Sequence, residues 1–296
     1  MNAKEVKEAA RRFGADLVGI SPVERLAELP ADKNPLSIFP ECKSVIVLAR
    51  RILRGSLRGV EEGTNFGSTY NFFGYKQLED CFLSRTTYDL TCWLEAENFE
   101  AVPLFAYNQE GMPKGSPVKD GKPAPNVIID FEAATQAAGL AEIGLGGFVI
   151  TPEFGTRQRF AVILTDAELD ADEIREKSIC NDCGACLEVC PLGAYNPDKR
   201  LKVGLPGHEC EVAEIDYSLC EACPNGAVLA DGRGVKPDRI ASACGRACLV
   251  QLEESGKCGN KFQNTFRKRK PWLLDSLNRP TEATSAGIGC GGAAKS

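Results

Sequence analysis

Histidine is nearly missing from this chain: His208 is the one example in 296 residues. That leaves histidine-rich zinc chemistry and a Ser–His–Asp triad both poorly supported. His208 itself, following Pro206 and Gly207, reads as a solvated loop residue rather than a ligand. Long apolar runs are missing too. The best of them, "SVIVLA", falls far short of the roughly 20 residues a spanning helix needs. No charged-then-apolar leader is evident, and the arginine pair Arg11–Arg12 sits in an amphipathic segment, not a twin-arginine signal. The expectation is a reducing, cytoplasmic setting with no membrane association. An excess of positive charge is also lacking. The formal charge is −6, so the chain carries no general nucleic-acid signature.

Cysteine, by contrast, is abundant, with fourteen residues. In a reducing compartment that number points to metal rather than disulfides. "CNDCGACLEVCPLG" places Cys180, Cys183, Cys186 and Cys190 in a C-x2-C-x2-C-x3-C-P run. Three thiols at this spacing wrap one iron–sulfur cube, and the fourth, before Pro191, ligates a different cube. Structural zinc instead pairs two C-x2-C elements across a longer loop. The run is therefore incomplete by itself and requires about four more thiolates downstream. Cys220 and Cys223 in "DYSLCEACPNG", with Cys244 and Cys248 in "SACGRACLVQLE", supply them. The reciprocal pattern groups Cys248 with Cys180, Cys183 and Cys186, and Cys190 with Cys220, Cys223 and Cys244. Cys210 competes for a place in the second set. Cys258, Cys290, Cys42, Cys81 and Cys92 read as buried or incidental thiols.

Around this region the pattern is that of alternating helices and strands. "AKEVKEAARRFG" has apolar residues at helical spacing and a terminating glycine. "ADLVGI", "CKSVIVLAR", "EAVPLF" and "RQRFAVILTD" read as buried strands. The glycine- and aromatic-rich stretch between Arg50 and Gly74 reads as a long loop. The longest helical stretch runs from Gly74 to Phe99, with Leu78, Phe82 and Leu90 on one face. "NQEGMPKGSPVKDGKPAPN" is a loop, and "FEAATQAAGLAEIG" a further helix. These elements imply an α/β or α+β unit over residues 1–172 and a cysteine unit over 173–258. A basic and glycine-rich extension over 259–296 follows, with four consecutive basic residues, Arg267 to Lys270.

"FGADLVGISP", "ECKSVIVLAR", "NVIIDFEAATQAAGLAEIGLGG" and "RFAVILTD", followed by the cysteine motif, resemble segments of a known group in the same order. That group is the cobamide-dependent epoxyqueuosine reductases and their relatives, the reductive dehalogenases. Departures from its pattern are clear. No Glu-Arg pair follows Asp130, and the glycine turn, where Trp and Lys are usual, reads Ala141, Glu142, Ile143, Gly144, Leu145. Ala241 occupies a usual cysteine position, leaving Cys223 to replace it. A helical-repeat tail is also lacking.

The resemblance implies an α+β chain: a nitroreductase-like N-terminal domain followed by a ferredoxin-like domain with two [4Fe-4S] clusters. It implies a base-off cobamide, which needs no histidine ligand, with flavin as the alternative occupant. Asp130 becomes a candidate general acid, against its alternative as a helix cap. Gly144, Gly146 and Gly147 become candidates for close approach to a large ring, or an ordinary turn. Tyr75, with Tyr70, Phe72 and Phe73, is a candidate pocket lining, or core. The implied activity passes low-potential electrons through the clusters to a cobamide and a small or nucleoside-like substrate. The implied partner is a low-potential donor, ferredoxin or flavodoxin. The alternatives are an electron-transfer protein that reactivates a partner corrinoid protein, and a tRNA-modifying reductase.

Overall fold

The computed structural model describes residues 1–105, 117, 120–123, 127–228, 236–264, 266 and 270–282. Helix α1, Ala3–Arg12, starts from a reciprocal cap: the Asn2 side chain accepts the Glu5 N–H, and the Glu5 carboxylate accepts the Asn2 N–H. Strands β1 (Leu17–Pro22) and β2 (Ser44–Arg51) follow. The stretch after β2, expected as a loop, instead folds into short helical turns: Arg54–Leu57, α2 at Arg58–Glu62, and a wide π-helical turn at Gly67–Asn71. Its glycines and aromatics disfavour helix locally, but tertiary anchoring decides; Tyr70 is fully buried and bonds Asp238.

Helix α3, Ser84–Ala96, is preceded by π-helical winding over Leu78–Leu83. That winding shifts the phase of the face. Leu78 and Leu90 are buried as expected, but Phe82 turns outward and is 43% exposed. Strand β3 is Ala101–Phe105 and helix α4 is Phe131–Ala137. The expected longer helix stops there because Gly139 adopts φ +69°. A two-stranded hairpin follows, β4 (Glu142–Ile143) against β5 (Val149–Ile150), then β6 (Gln158–Thr165).

The four long strands form one antiparallel sheet in the order β1-β2-β6-β3. Both faces are covered. Ile46, Leu48 and Ile163 pack with Val6 of α1 and Leu90 of α3. Val45, Val47 and Val162 pack with Ala133 and Ala137 of α4. Two covered faces explain why β2 reads as an unbroken apolar run rather than an alternating one; each such side chain contributes roughly 1.5–3 kcal/mol. Gly19 permits the close approach of α4, since a Cβ there would lie 2.4 Å from the Ala138 carbonyl oxygen. The architecture is mixed α/β.

The cysteine region contributes α5 (Ala185–Glu188), the hairpin β7 (Tyr195–Val203) and β8 (Cys210–Ile215), α6 (Tyr217–Glu221) and α7 (Ala243–Glu254). Strands β9 (Trp272–Leu274) and β10 (Pro280–Glu282) pair at the end. Its core is shared with the first part of the chain: Leu145, Phe148 and Ile150 of the β4–β5 hairpin pack with Ile179, Tyr195, Leu249 and Leu252. Lys270 pairs with Glu282 at 3.2 Å, whereas Arg267 to Arg269 and Cys290 lie outside the described residues. No helix among the described residues is long and apolar enough to cross a membrane.

Candidate metal centres

The approach to the first cysteine is pinned by a buried carboxylate. Glu142, only 1% exposed, accepts the N–H groups of Ser178 at 2.7 Å, Ile179 at 3.0 Å and Cys180 at 2.5 Å. Three charge-assisted bonds to consecutive amides fix the direction in which the loop leaves. Asp182 at φ +55° and Gly184 at φ +77° then curl the chain. Cys180, Cys183 and Cys186 line one small cavity, and Cys248 of α7 reaches the same cavity. The opposite wall is the glycine turn Gly144–Leu145–Gly146. The Leu145 N–H points at Cys180 Sγ at 3.5 Å, and a Cβ at Gly146 would stand 2.8 Å from Cys186 Sγ. Gly144 and Gly146 thus let backbone approach the thiols.

A second small cavity is lined by Cys190, Cys220, Cys223 and Cys244. Asp216 caps α6 through the Ser218 N–H at 3.0 Å, which presents Cys220 inward. The Ala194 N–H donates to Cys190 Sγ at 3.3 Å, and Ser242 Oγ lies 2.8 Å from Cys244 Sγ. Cys210 lines neither cavity. It is buried beside Ile143 and Val212 and accepts from Gln136 Nε2 at 3.4 Å.

Helix α7 and the packed segment formed by α5 and the residues just after it link the cavities. Cys186 and Cys190 on the α5 side, and Cys248 and Cys244 on α7, each send one thiol to each cavity, in opposite chain order. Residues four apart on α7 share a face about 6 Å apart along the axis, so that helix spans both sites; on the other side Cys190 lies just past the end of α5 and reaches the second cavity from the chain that follows it. Burial pushes the Cys186 and Cys220 thiols up to about 12 and raises Cys248 well above the ordinary range. A bound cation would offset that burial and favour the thiolate. Among the described residues, no three His, Cys, Asp or Glu side chains converge tightly enough to hold a single metal ion.

Arg239 also lines the second cavity. It is 7% exposed and donates to Tyr195 Oη at 2.7 Å, Gly146 O at 3.1 Å and Gly147 O at 3.3 Å. Its guanidinium lies over Phe148, 4.6 Å from the ring centre. Beyond it opens a cavity of about 230 Å³, walled by Glu79, Glu132, Arg159, Tyr217 and Asp238 among others. There Arg159 donates to Asp238 and to the Tyr70 hydroxyl, both at 2.8 Å, and Tyr70 donates to Asp238 at 2.5 Å. Burial raises the Glu79 and Glu132 carboxyls above their usual range. A larger cavity, about 730 Å³, opens on the other side of Cys223, between Phe66, Val250 and Trp272.

The remaining sequence candidates do not gather. Asp130 caps α4, accepting the Ala133 N–H at 3.0 Å, and stands 3.6 Å from Lys33 Nζ; it lines none of these cavities. Tyr75 lies beneath Arg159, 5.1 Å from ring centre to guanidinium. Gly147 lines the 230 Å³ cavity. Phe72 and Phe73 are exposed. Sequence reasoning missed Glu142, Arg239, and the partners Asp238 and Arg159 that Tyr70, named there as pocket lining or core, meets. The signal for Glu142 was present in the odd glutamate of the glycine turn, but its partners are three backbone amides that no motif encodes.

Comparison with known proteins gives two groups of relatives. No family model matches the chain. It is 42% identical over 84 residues to the tetrachloroethene reductive dehalogenase of Dehalobacter restrictus, covering 27% of this chain and 15% of that protein. It is 25% identical over 171 residues to the epoxyqueuosine reductase of Bacillus cereus, covering 54% of this chain and 38% of that one. The chain thus spans well under half the length of these curated relatives. Among solved structures, a reductive dehalogenase described for B12-dependent dehalogenation superposes with a TM-score of 0.53 at 17% identity. That superposition covers 86% of this chain and 32% of that one, a likeness of fold. The chain is similar to reductive dehalogenases and epoxyqueuosine reductases in sequence, and to a reductive dehalogenase in fold.

Proposed function

We propose that this chain is an iron–sulfur oxidoreductase that relays low-potential electrons through two [4Fe-4S] clusters. The observation that carries the reading is the pair of four-cysteine cavities linked reciprocally by α5 and α7. The donor sets fit: each cavity offers four thiols and no competing carboxylate or imidazole ligand in its wall. In this reading Cys180, Cys183, Cys186 and Cys248 hold the first cluster, and Cys190, Cys220, Cys223 and Cys244 the second. Bound there, such clusters supply single-electron storage at low potential. The chain's own part is to hold the thiolates, to aim the Leu145 and Ala194 N–H groups at sulfur, and to exclude water with Phe148, Ile150 and Tyr195. Electrons enter from a low-potential donor such as ferredoxin or flavodoxin.

A cobamide acceptor is supported by the likeness to reductive dehalogenases and epoxyqueuosine reductases. The residues carried over for it do not converge in this fold, however: Asp130 caps α4, the Gly144–Gly146 turn lines the first cysteine cavity, and only Gly147 and Tyr75, through Arg159, belong to the 230 Å³ cavity. That dispersion favours a second reading, an electron-transfer protein that reduces a partner's corrinoid. The test is spectroscopic. Anaerobically reconstituted, reduced protein is expected to give two interacting four-iron paramagnetic signals. Added cobalamin then separates the readings: a shift to the base-off spectrum supports a resident cobamide, and an unchanged spectrum supports the relay. Tightly bound zinc without iron overturns both.

A further inference from the structure

Arginine at buried positions in this fold is generally neutralised by a carboxylate. Arg54 bonds Glu253, Arg159 bonds Asp238 and Arg246 bonds Glu61. Arg239 differs: among the described residues no ion pair joins it to a carboxylate. Its hydrogen bonds go to the carbonyls of Gly146 and Gly147 and to the Tyr195 hydroxyl, and three aromatic rings surround it. Glu132 lines the same 230 Å³ cavity and feels the charge of Arg239, but no hydrogen bond or ion pair joins the two. Carbonyls and ring faces moderate the cost of burying a guanidinium but do not cancel its charge, and a buried unpaired charge is expensive. Arg157 also lacks a carboxylate bond, but it lines neither cysteine cavity. Arg239 stands in the wall formed by Cys190, Cys220, Cys223 and Cys244.

We infer that Arg239 is the built-in counter-charge of the second cluster and sets its reduction potential above that of the first, so that electrons collect at the second site. The inference rests on the two-cluster reading above. A cube held by four thiolates is net negative, and taking up one electron makes it more so without breaking any bond. A fixed cation in a low-dielectric wall stabilises the more negative state, and net charge and hydrogen bonding are established levers on cluster potential. The first cavity has no arginine or lysine in its lining. The carboxylate beside it, Asp182 Oδ1 at 3.5 Å from Cys180 Sγ, is anionic and is itself paired with Lys177 at 3.2 Å, so no unpaired cation faces the first set as Arg239 faces the second. Two neighbouring one-electron sites then differ in potential in a fixed direction, toward the second set and the two larger cavities that flank it.

The experiment is a paramagnetic redox titration of the reconstituted full chain carrying Arg239→Gln, Arg239→Lys or no change. A Cys190→Ser protein, which keeps only the first signal, assigns the two clusters. In Arg239→Gln the reduced-to-oxidised ratio of the second cluster at fixed potential is expected to fall at least about tenfold, or ~59 mV for a one-electron couple. The first cluster should shift less, and Arg239→Lys should restore most of the change. If Arg239→Gln fails to load the second cluster while Arg239→Lys loads it, the counter-charge role stands. Unchanged potentials, equal shifts at both clusters, or loss of the cluster in both variants overturn it. Iron content of the unmodified chain reads the underlying two-cluster claim separately, so the two failures are distinguishable.

Discussion

Cys244 and Cys248 stand one turn apart on helix α7, yet each faces a different four-cysteine cavity. One rigid helix therefore indexes both sites. Serine at either position removes one thiolate without changing helix propensity much. Cys248→Ser is expected to lose the first cluster's signal and keep the second, and Cys244→Ser the reverse. Paramagnetic spectra of the two reduced variants check this; loss of the same signal in both contradicts the reciprocal arrangement.

Cys210 and Cys223 are both plausible second-set ligands by sequence, and the packing separates them. Cys223 lines the second cavity, whereas Cys210 sits among Ile143, Val203 and Val212. Cys210→Ser should retain both clusters, at a stability cost of order 1 kcal/mol for burying a hydroxyl. Cys223→Ser should lose one cluster. Iron analysis of the two variants distinguishes them, and a full iron complement in Cys223→Ser would sink the assignment.

Glu142 is expected to be structurally costly to change. Glu142→Gln removes the charge that three amides share and turns an amide NH2 toward donors. Hydrogen bonds to a charged group contribute about 1.5–3 kcal/mol each, so even partial loss should lower the melting temperature by several degrees. Retention of the first cluster should fall with it. Thermal unfolding followed by circular dichroism reads the first effect, and iron retention the second.

Asp130 offers a clean separation of roles. As the cap of α4 it should tolerate Asn, which caps about as well, while Ala should cost about 1 kcal/mol. If its carboxyl also delivers a proton in turnover, Asp130→Asn should slow a proton-requiring step by roughly a hundredfold or more with stability unchanged. Steady-state rates beside melting curves for the Asn and Ala variants decide between them.

Much of this was legible in the chain, for reasons that particular residues make plain. Strands β1, β2, β3 and β6 announced themselves because Val45 to Ala49 and Ala161 to Leu164 are covered on both faces. The cysteines announced themselves because spacing around a cluster is a local constraint. The helical turns after Arg51 did not, because Glu61 and Tyr70 are fixed by Arg246 and Asp238, far away in sequence. Arg239 was illegible for the same reason, and Glu142 showed only as an unusual residue in its turn, with no hint of its partners. A single charged residue in a turn acquires meaning only when the distant groups around it are in place. Phe82 was misplaced because period-3.6 reasoning does not anticipate π-helical winding.

The central claim is two four-iron clusters on eight named thiolates, and metal stoichiometry tests it most directly. Protein reconstituted anaerobically and freed of loose metal should contain about eight irons and about eight acid-labile sulfides per chain. Values near four, or zinc in place of iron, would contradict the account.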